Sequence, residues 1–245
     1  MAFDARTVGG TPYGAPLVPS LPIRMRRTEI LTVVYETDAD AAGALIPAPL
    51  ELAAPLAIVN VYWMHDADWF GVYGESAIQL PVRLPDGSPA VYSPFLVLDS
   101  DGAVAAGREL YGQPKKAGKV SLGPDGDLLV GRVVRNGIDI VTATMCWKQR
   151  PATADALSDV VPGASTNVNL RVLPSGDELV RELVVRTFED VVVHECWAGP
   201  ATVELRPNAQ VPVHRLPVGE VRLGIHRILD LTLPPGRAIH RYAAA

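Results

Sequence analysis

Two adjacent lysines, Lys115 and Lys116, are the residues whose type and setting best suit covalent chemistry. The chain has four lysines against eighteen arginines, and this pair lies among small and apolar neighbours between Gly107 and Gly118. A lysine amine can lose its proton and attack a carbonyl carbon, which a guanidinium cannot do. Burial or a neighbouring cation lowers the pKa of a lysine. The pair therefore predicts a Schiff-base lysine, and the plainer alternative is a turn with two solvated lysines.

The pair belongs to a longer motif, Gly107-Arg108-Glu109 followed by Pro114-Lys115-Lys116. This motif resembles the acetoacetate decarboxylase family, itself a known example of a lysine activated by its surroundings. The resemblance extends from about Tyr13 to Tyr242, through Tyr35-Glu36-Thr37-Asp38, Pro49-Leu50, Met64-His65-Asp66, Thr142-Ala143-Thr144-Met145, His194-Glu195 with Trp197 and Gly199-Pro200, and Leu216-Pro217-Val218. It implies that Lys115 forms the Schiff base and that Lys116 helps to keep it neutral. It also implies that Glu75 is an active-site glutamate on a sheet.

Two positions depart from the family pattern. The family has an arginine where this chain has Thr28, and a second glutamate where it has Asn60. Arg27 is next to Thr28, but a shift of one residue along a strand moves a side chain to the opposite face. Of the arginine and two glutamates that surround the family's lysine, we therefore expect Glu75 alone to remain.

Neutral groups are then expected to hold the substrate. Gln113 lies two residues before Lys115, and Pro114 biases it towards an extended conformation. The candidate substrate-binding residues are Gln113, Tyr73, Tyr111, Tyr242, Asn60 and Thr28.

Composition excludes several classes of function. The net charge is −5 and no basic block occurs, so nucleic acid is not an expected partner. No apolar run reaches the roughly 18 residues that span a membrane, and Met1 to Gly10 shows no signal peptide. Two cysteines make no disulfide framework, which favours a cytoplasmic protein. His65-Asp66 and His194-Glu195 lack metal-ligand spacing, so neither a metal nor another cofactor is expected.

The pattern predicts one mostly antiparallel β domain over residues 1–245, with residues 1–12 as an arm. Strand-like runs are Ile30–Tyr35, Ala57–Trp63, Ala77–Val82, Val91–Leu98, Leu128–Val134, Ile138–Trp147, Leu179–Phe188, Val191–Trp197 and Ile228–Leu233. Turns are predicted at Asp86-Gly87, Asp101-Gly102, Asp125-Gly126 and Asn136-Gly137. Short helices are predicted from Thr37 to about Leu45 and over Ala152–Val160, with a loop over Pro162–Asn167. The resemblance adds cone- or barrel-like sheets around a buried pocket, and a homo-oligomer, a tetramer or larger.

Three functions fit these residues. A lysine imine withdraws electrons, so it supports either loss of carbon dioxide from a 3-oxo acid or condensation of pyruvate with an aldehyde. The departures at Thr28 and Asn60 favour a pyruvate aldolase–dehydratase, with acetoacetate decarboxylase as the alternative. A non-catalytic protein that binds small ligands in a β pocket is the third possibility. The expected partners are a small keto acid and, for the aldolase, an aldehyde.

Overall fold

The computed structural model describes residues 17–175 and 178–243 and consists of two β-sheets with three short helices. The strands are β1 (Ile23–Glu36), β2 (Glu51–Leu52), β3 (Leu56–Ala67), β4 (Gly71–Arg83), β5 (Pro89–Leu98), β6 (Lys115–Ala117), β7 (Lys119–Asp125), β8 (Leu128–Arg135), β9 (Ile138–Cys146), β10 (Arg150–Pro151), β11 (Thr166–Ser175), β12 (Glu178–Thr187), β13 (Glu189–Ala198), β14 (Ala201–Leu205), β15 (Val221–Leu233) and β16 (Arg237–Arg241). The helices are α1 (Ala39–Gly43), α2 (Asp101–Tyr111) and α3 (Ala156–Val160). A 3-10 turn covers Val213–Arg215.

The large sheet has the strand order β10-β13-β15-β1-β3-β4-β5-β11-β12-β16, with β2 beside β4 and β6 beside β5. The small sheet has the order β14-β9-β8-β7. Pairing is antiparallel except where β5 meets β6 and β11. The prediction of a mostly antiparallel β fold with few helices is confirmed.

The predicted strand runs all lie within or largely overlap observed strands. The hairpin at Asn136-Gly137 joins β8 to β9, and both residues have positive φ, 52° and 76°. Two consecutive positive φ values are what a type I′ hairpin turn requires, and Asn-Gly is the sequence that tolerates them best.

Three local predictions are wrong. Asp101-Gly102 was expected in a turn but begins α2, where the Ser100 side chain accepts from the Ala103 N–H and caps the helix. The first helix is capped by the Asp38 carboxylate instead of Thr37. The predicted loop over Pro162–Asn167 ends early, because Thr166 and Asn167 already belong to β11 and pair with β12.

The central strands of the large sheet are buried on both faces, as the consecutive buried residues of β1 and β4 show. Successive side chains of a strand point to opposite faces. Leu31 and Val33 of β1, like Val59 and Val61 of β3, pack in the main core with residues of the small sheet. The side chains at intervening positions face the other way, into a second cluster that includes Ile30 and Met64. The candidate site lies on this second face.

The large sheet curves around the site without closing into a barrel. Lining residues come from β15, β1, β3, β4, β5, β6, β11 and β12, and α2 adds one wall. The curved sheets around a buried pocket agree with the expected fold class. The predicted arm over residues 1–12 lies outside the described residues. No helix in the described part of the chain is long and apolar enough to span a membrane.

Candidate active site

Lys115 is held in place by the end of α2 and by β5. The helix ends at Gly112, which has a φ of 71° and therefore suits glycine, and Gln113-Pro114 then leads into β6. Lys115 pairs in register with Leu96 of β5. The Arg108 side chain donates from Nη1 to the Lys115 carbonyl oxygen at 3.2 Å. The Gly-Arg-Glu segment thus clamps the backbone of the lysine.

Gly107 gives the Lys115 side chain its room. A Cβ atom at position 107 would lie 2.6 Å from Lys115 Cε and 3.0 Å from the Gln113 side-chain oxygen. Carbon atoms in contact are normally about 3.5–4.0 Å apart. The glycine of the motif is therefore required by the path of the lysine across the face of α2.

Glu75 pairs with Lys115 inside the protein. Lys115 Nζ lies 2.9 Å from Glu75 Oε2, and the two side chains are only 8% and 9% exposed. Glu75, Ala77 and Gln79 alternate along β4 and all face the same pocket. A buried ion pair contributes little to stability because both charges lose their hydration. It does place a carboxylate where it can take a proton from the amine and return it.

The pocket around this pair is small and mostly apolar. Its volume is about 40 Å³, which at 10–15 Å³ each corresponds to roughly three water molecules. Beside Lys115 and Glu75 its wall includes Ile23, Met25, Met64, Phe70, Leu96, Ala103, Ala106, Leu231 and Leu233. Such a space suits a short carbon chain and excludes bulk water.

Four of the six predicted substrate-binding residues line this pocket: Thr28, Tyr73, Tyr111 and Gln113. The Tyr111 hydroxyl donates to the Pro234 carbonyl oxygen at 2.8 Å, so it presents mainly its ring. Burial raises the pKa of Tyr111 to about 12 and that of Tyr73 well above its ordinary value. Both phenols are therefore poor bases at neutral pH, and since the Tyr111 proton is used by Pro234, Tyr73 is the one of the two that can donate a hydrogen bond to a ligand.

As expected, Arg27 does not take the place of the arginine that the family has at position 28. Arg27 is exposed at an irregularity in β1, with a positive φ of 50°, and its N–H donates to Asp230 Oδ1. Thr28 is fully buried in the pocket wall. The neighbouring arginine therefore does not enter the pocket.

Tyr242, Asn60 and Lys116 lie away from this pocket. Tyr242 follows β16, which is at the edge of the large sheet, and its hydroxyl donates to the Ala48 carbonyl oxygen. Lys116 lies on the opposite face of β6 from Lys115, and its Nζ donates to the Gln210 carbonyl oxygen at 2.7 Å. Asn60 lines a neighbouring cavity of about 370 Å³, which shares Tyr62, Gln79, Phe188 and Leu231 with the pocket.

Asn60 belongs to a buried chain of neutral side chains that ends at the pocket. Thr32 Oγ1 donates to Asn60 Oδ1 at 2.7 Å, and Asn60 Nδ2 donates to Gln79 Oε1 at 2.9 Å. Gln79 Nε2 donates to Asn167 Oδ1 at 2.7 Å and approaches Ser93 Oγ at 3.3 Å. The chain crosses five neighbouring strands of the sheet, from β1 to β11, and sets the orientation of each amide.

Arg186 is the residue that the sequence analysis missed. It lies on β12, is 9% exposed and lines the Lys115 pocket. Its guanidinium carbon lies 4.5 Å from the Phe188 ring centre and 5.2 Å from that of Tyr111. Of the family's arginine and two glutamates Glu75 is still the one matched here, but Arg186 adds a charged group to the pocket from a different strand. One signal in the sequence was that Arg186 lies inside the apolar run from Leu183 to Phe188. The sequence alone does not distinguish it from Arg181, which lies on the same strand and is half-exposed.

Comparison with known proteins gives one consistent family. The family model for acetoacetate decarboxylase matches residues 10–243. The chain is 35% identical over 234 residues to an acetoacetate decarboxylase of Clostridium acetobutylicum, covering 95% of each chain. It superimposes on the crystal structure of acetoacetate decarboxylase from Legionella pneumophila with a TM-score of 0.87 and 32% identity, covering 98% of this chain and 99% of the other.

A more distant solved structure shares the fold. It is described as the enduracididine biosynthesis enzyme MppR complexed with pyruvate, and the TM-score is 0.75 with 21% identity over 94% of each chain. The matches at 32–35% identity cover nearly the whole chain, and its lysine motif lies in the pocket just described. This chain therefore belongs to the acetoacetate decarboxylase family of lysine Schiff-base carbon–carbon lyases.

Proposed function

We propose that this protein decarboxylates a short 3-oxo acid such as acetoacetate through a Schiff base on Lys115. The observation that carries the proposal is the 2.9 Å contact between Lys115 Nζ and Glu75 Oε2 inside a small, mostly apolar pocket. Relatives named acetoacetate decarboxylase, at about 35% identity over nearly the whole chain, support the same reaction. The preference for an aldolase–dehydratase rests on Thr28 and Asn60, which replace an arginine and a glutamate of the family. Arg186 supplies a positive charge to the pocket from another strand, so the loss of the arginine no longer favours that reaction.

The buried pair supplies the proton transfers of this reaction. Glu75 takes a proton from the Lys115 ammonium, and the neutral amine attacks the ketone carbon of the substrate. Loss of water leaves an iminium. The bond between C2 and the carboxylate then breaks, its electron pair moves towards the iminium nitrogen, and carbon dioxide leaves an enamine. The proton that Glu75 took from the ammonium leaves with the departing water, so Glu75 takes a second proton from solvent and delivers it to C2. Water then hydrolyses the resulting iminium to the ketone and the lysine ammonium.

The apolar wall favours the bond-breaking step. The substrate enters with a carboxylate and the iminium carries a positive charge, whereas the products of cleavage are neutral. A pocket poor in water stabilises the dispersed charge of the transition state relative to the separated charges that precede it. Met25, Met64 and Leu96 are the residues of this wall that surround the short carbon chain in the proposal.

Borohydride trapping tests the proposal. The protein is mixed with acetoacetate, reduced, digested and mapped by mass spectrometry, while carbon dioxide is measured in an unreduced sample. We expect an adduct on Lys115, carbon dioxide release, and loss of both in Lys115→Arg. Lys119→Arg is the matched control, because Lys119 is exposed four residues away. Carbon dioxide release that persists in Lys115→Arg would refute the Schiff-base route.

A pyruvate aldolase–dehydratase is the second candidate. The 370 Å³ cavity beside the pocket has room for an aldehyde and shares Tyr62 and Gln79 with it. The solved structure of MppR complexed with the condensation product of pyruvate and imidazole 4-carboxaldehyde is 20% identical to this chain, a level that supports the fold alone. Incubation with pyruvate and an aldehyde distinguishes the reactions, since an unsaturated keto acid forms only in this one. Ligand binding with no adduct and no turnover would instead favour the non-catalytic alternative.

We also propose that the protein is a cytoplasmic homo-oligomer. Cys146 and Cys196 are free thiols, which fits a reducing compartment. Val191 and Val192 of β13, and Trp69 and Val72 at or next to the turn between β3 and β4, are between 48% and 69% exposed, and a second copy of the chain could cover such apolar side chains. Light scattering on the purified protein measures the mass, and a monomer at micromolar concentration would contradict this proposal.

A further inference from the structure

Three buried hydrogen-bond donors in the wall of the Lys115 pocket have no partner within the described residues. They are Thr28 Oγ1, Asn167 Nδ2 and Arg186 Nη1. Buried polar atoms are nearly always hydrogen-bonded, because an unpaired one loses its contact with water without compensation. Of the nine buried side-chain atoms without a partner in the described residues, these three surround one pocket, which points to a ligand there that accepts hydrogen bonds.

Two of these donors are fixed side by side by strand pairing. Asn167 of β11 lies directly opposite Arg186 of β12 in the antiparallel register. Side chains of directly opposite residues are on the same face of a sheet and close to each other. Asn167 Oδ1 already accepts from Gln79 Nε2 at 2.7 Å, so the amide nitrogen of Asn167 is the atom left free to donate. The neutral chain that begins at Thr32 thus presents an N–H group to the pocket.

The charges of the pocket also call for one more anion. Lys115 and Glu75 neutralise each other, whereas Arg186 has no carboxylate partner among the described residues. The guanidinium lies against the Tyr111 and Phe188 rings, which hold it in place but carry no charge. A buried charge without a counterion is strongly unfavourable. A carboxylate on the substrate would complete both the charge balance and the hydrogen bonds.

We propose that Arg186, Asn167 and Thr28 form a carboxylate subsite that makes this enzyme select keto acids over neutral ketones. The inference deepens the proposed function, since it rests on Schiff-base formation at Lys115. Arg186 reaches the pocket from β12. The position on β1 where the family has an arginine carries Thr28 in this chain, and the Thr28 hydroxyl is the third donor. Arginine presents paired N–H groups that match the two oxygens of a carboxylate.

The test separates anion binding from imine formation. Acetone has the carbonyl but no carboxylate, so borohydride labels Lys115 with acetone whether or not the subsite is intact. Propionate has the carboxylate but no ketone, so it protects Lys115 from labelling only if the subsite binds it. We expect Arg186→Met to keep acetone labelling, to weaken propionate protection by about 100-fold, and to lower kcat/KM for acetoacetate by a similar factor, which is the range for a lost hydrogen bond to a charged group.

Arg227→Met is the matched control. Arg227 is another largely buried arginine, but it lines the neighbouring cavity and approaches Thr32 at 3.5 Å. Acetone labelling and propionate protection should both stay at their wild-type values in this variant. Methionine keeps the length and apolar contacts of arginine at both positions. A loss of propionate protection in Arg227→Met equal to that in Arg186→Met would overturn the assignment.

Asn167→Asp provides a second route if Arg186→Met does not fold. The aspartate can still accept from Gln79 but removes the free N–H and places a negative charge beside Arg186. Propionate protection should disappear while acetone labelling remains, and unchanged protection would refute the subsite. Thr28→Arg added to Arg186→Met should restore part of the protection. Absence of any acetone adduct in the wild type would instead refute the proposed function, so the two failures are distinguishable.

Discussion

Replacing Gly107 by alanine tests whether the path of the Lys115 side chain controls the rate. The new Cβ atom would lie 2.6 Å from Lys115 Cε and 3.0 Å from the Gln113 side-chain oxygen. Restoring ordinary carbon contact at about 3.5 Å requires a movement of roughly 1 Å. A misplacement of about 1 Å in an active site can cost about 100-fold in rate. We expect Gly107→Ala to lower kcat for acetoacetate by about that factor.

The cost in stability should be moderate. Adding a methyl group to a packed interior typically destabilises by about 1–3 kcal/mol. The variant should therefore stay folded, so circular dichroism and a thermal melt accompany the kinetic assay. Borohydride trapping of Lys115 at saturating acetoacetate then shows whether the amine still reaches the ketone.

Gly123→Ala is the matched control for this prediction. A Cβ atom at position 123 would meet nothing within 4 Å, and Gly123 lies in β7, outside the lining of the pocket. Its kcat and its trapping rate should equal those of the wild type. Wild-type kcat in Gly107→Ala would refute the reasoning, because it would mean that Lys115 adopts its reactive position without this clearance.

Three further predictions follow from single contacts. Glu75→Gln should keep a partner for Lys115 but lose the proton acceptor, so kcat should fall by about 100- to 10,000-fold, measured as carbon dioxide release. Arg108→Met removes the 3.2 Å bond to the Lys115 carbonyl and should destabilise by about 1.5–3 kcal/mol, seen in urea unfolding with a parallel loss of kcat. The hydrogen bond from His226, at 2.8 Å, is the main cause that holds the pKa of Glu29 below its ordinary value of 4.5. That stabilisation is present above pH 4.5 and is lost as pH falls through the lower native pKa, so thermal melts in acid should show a smaller pH dependence for Glu29→Gln than for the wild type.

Much of the fold was readable because its signals are local. Alternating apolar residues predict Ala77–Val82 as part of a strand, and Asn136-Gly137 predicts its hairpin from backbone conformation alone. The helix α2 was missed because its first residues, Asp101-Gly102, are typical of a turn. Its cap by Ser100 becomes evident only once the following residues are known to be helical.

In the candidate site, too, the residues with local signals were predicted and those without were not. The lysine motif placed Lys115, and the resemblance placed Glu75, because each lies in a distinctive segment of the chain. The prediction that Tyr242 reaches the substrate had no such signal, and β16 takes that residue to the edge of the sheet. Asn167 was assigned to a loop, although it pairs with Arg186 in the β11–β12 hairpin.

The sequence by itself predicted the chemistry, from a lysine among small and apolar residues and, through the family resemblance, a glutamate beside it. Only the tertiary structure decided which charges surround that lysine. Arg186 is 71 positions from Lys115 in the chain, and strand order brings it into the same pocket. An arginine that is missing at position 28 can therefore be replaced by one from another strand. The electrostatic energy of a bound substrate depends on where a charge lies in space and not on where it lies in the sequence.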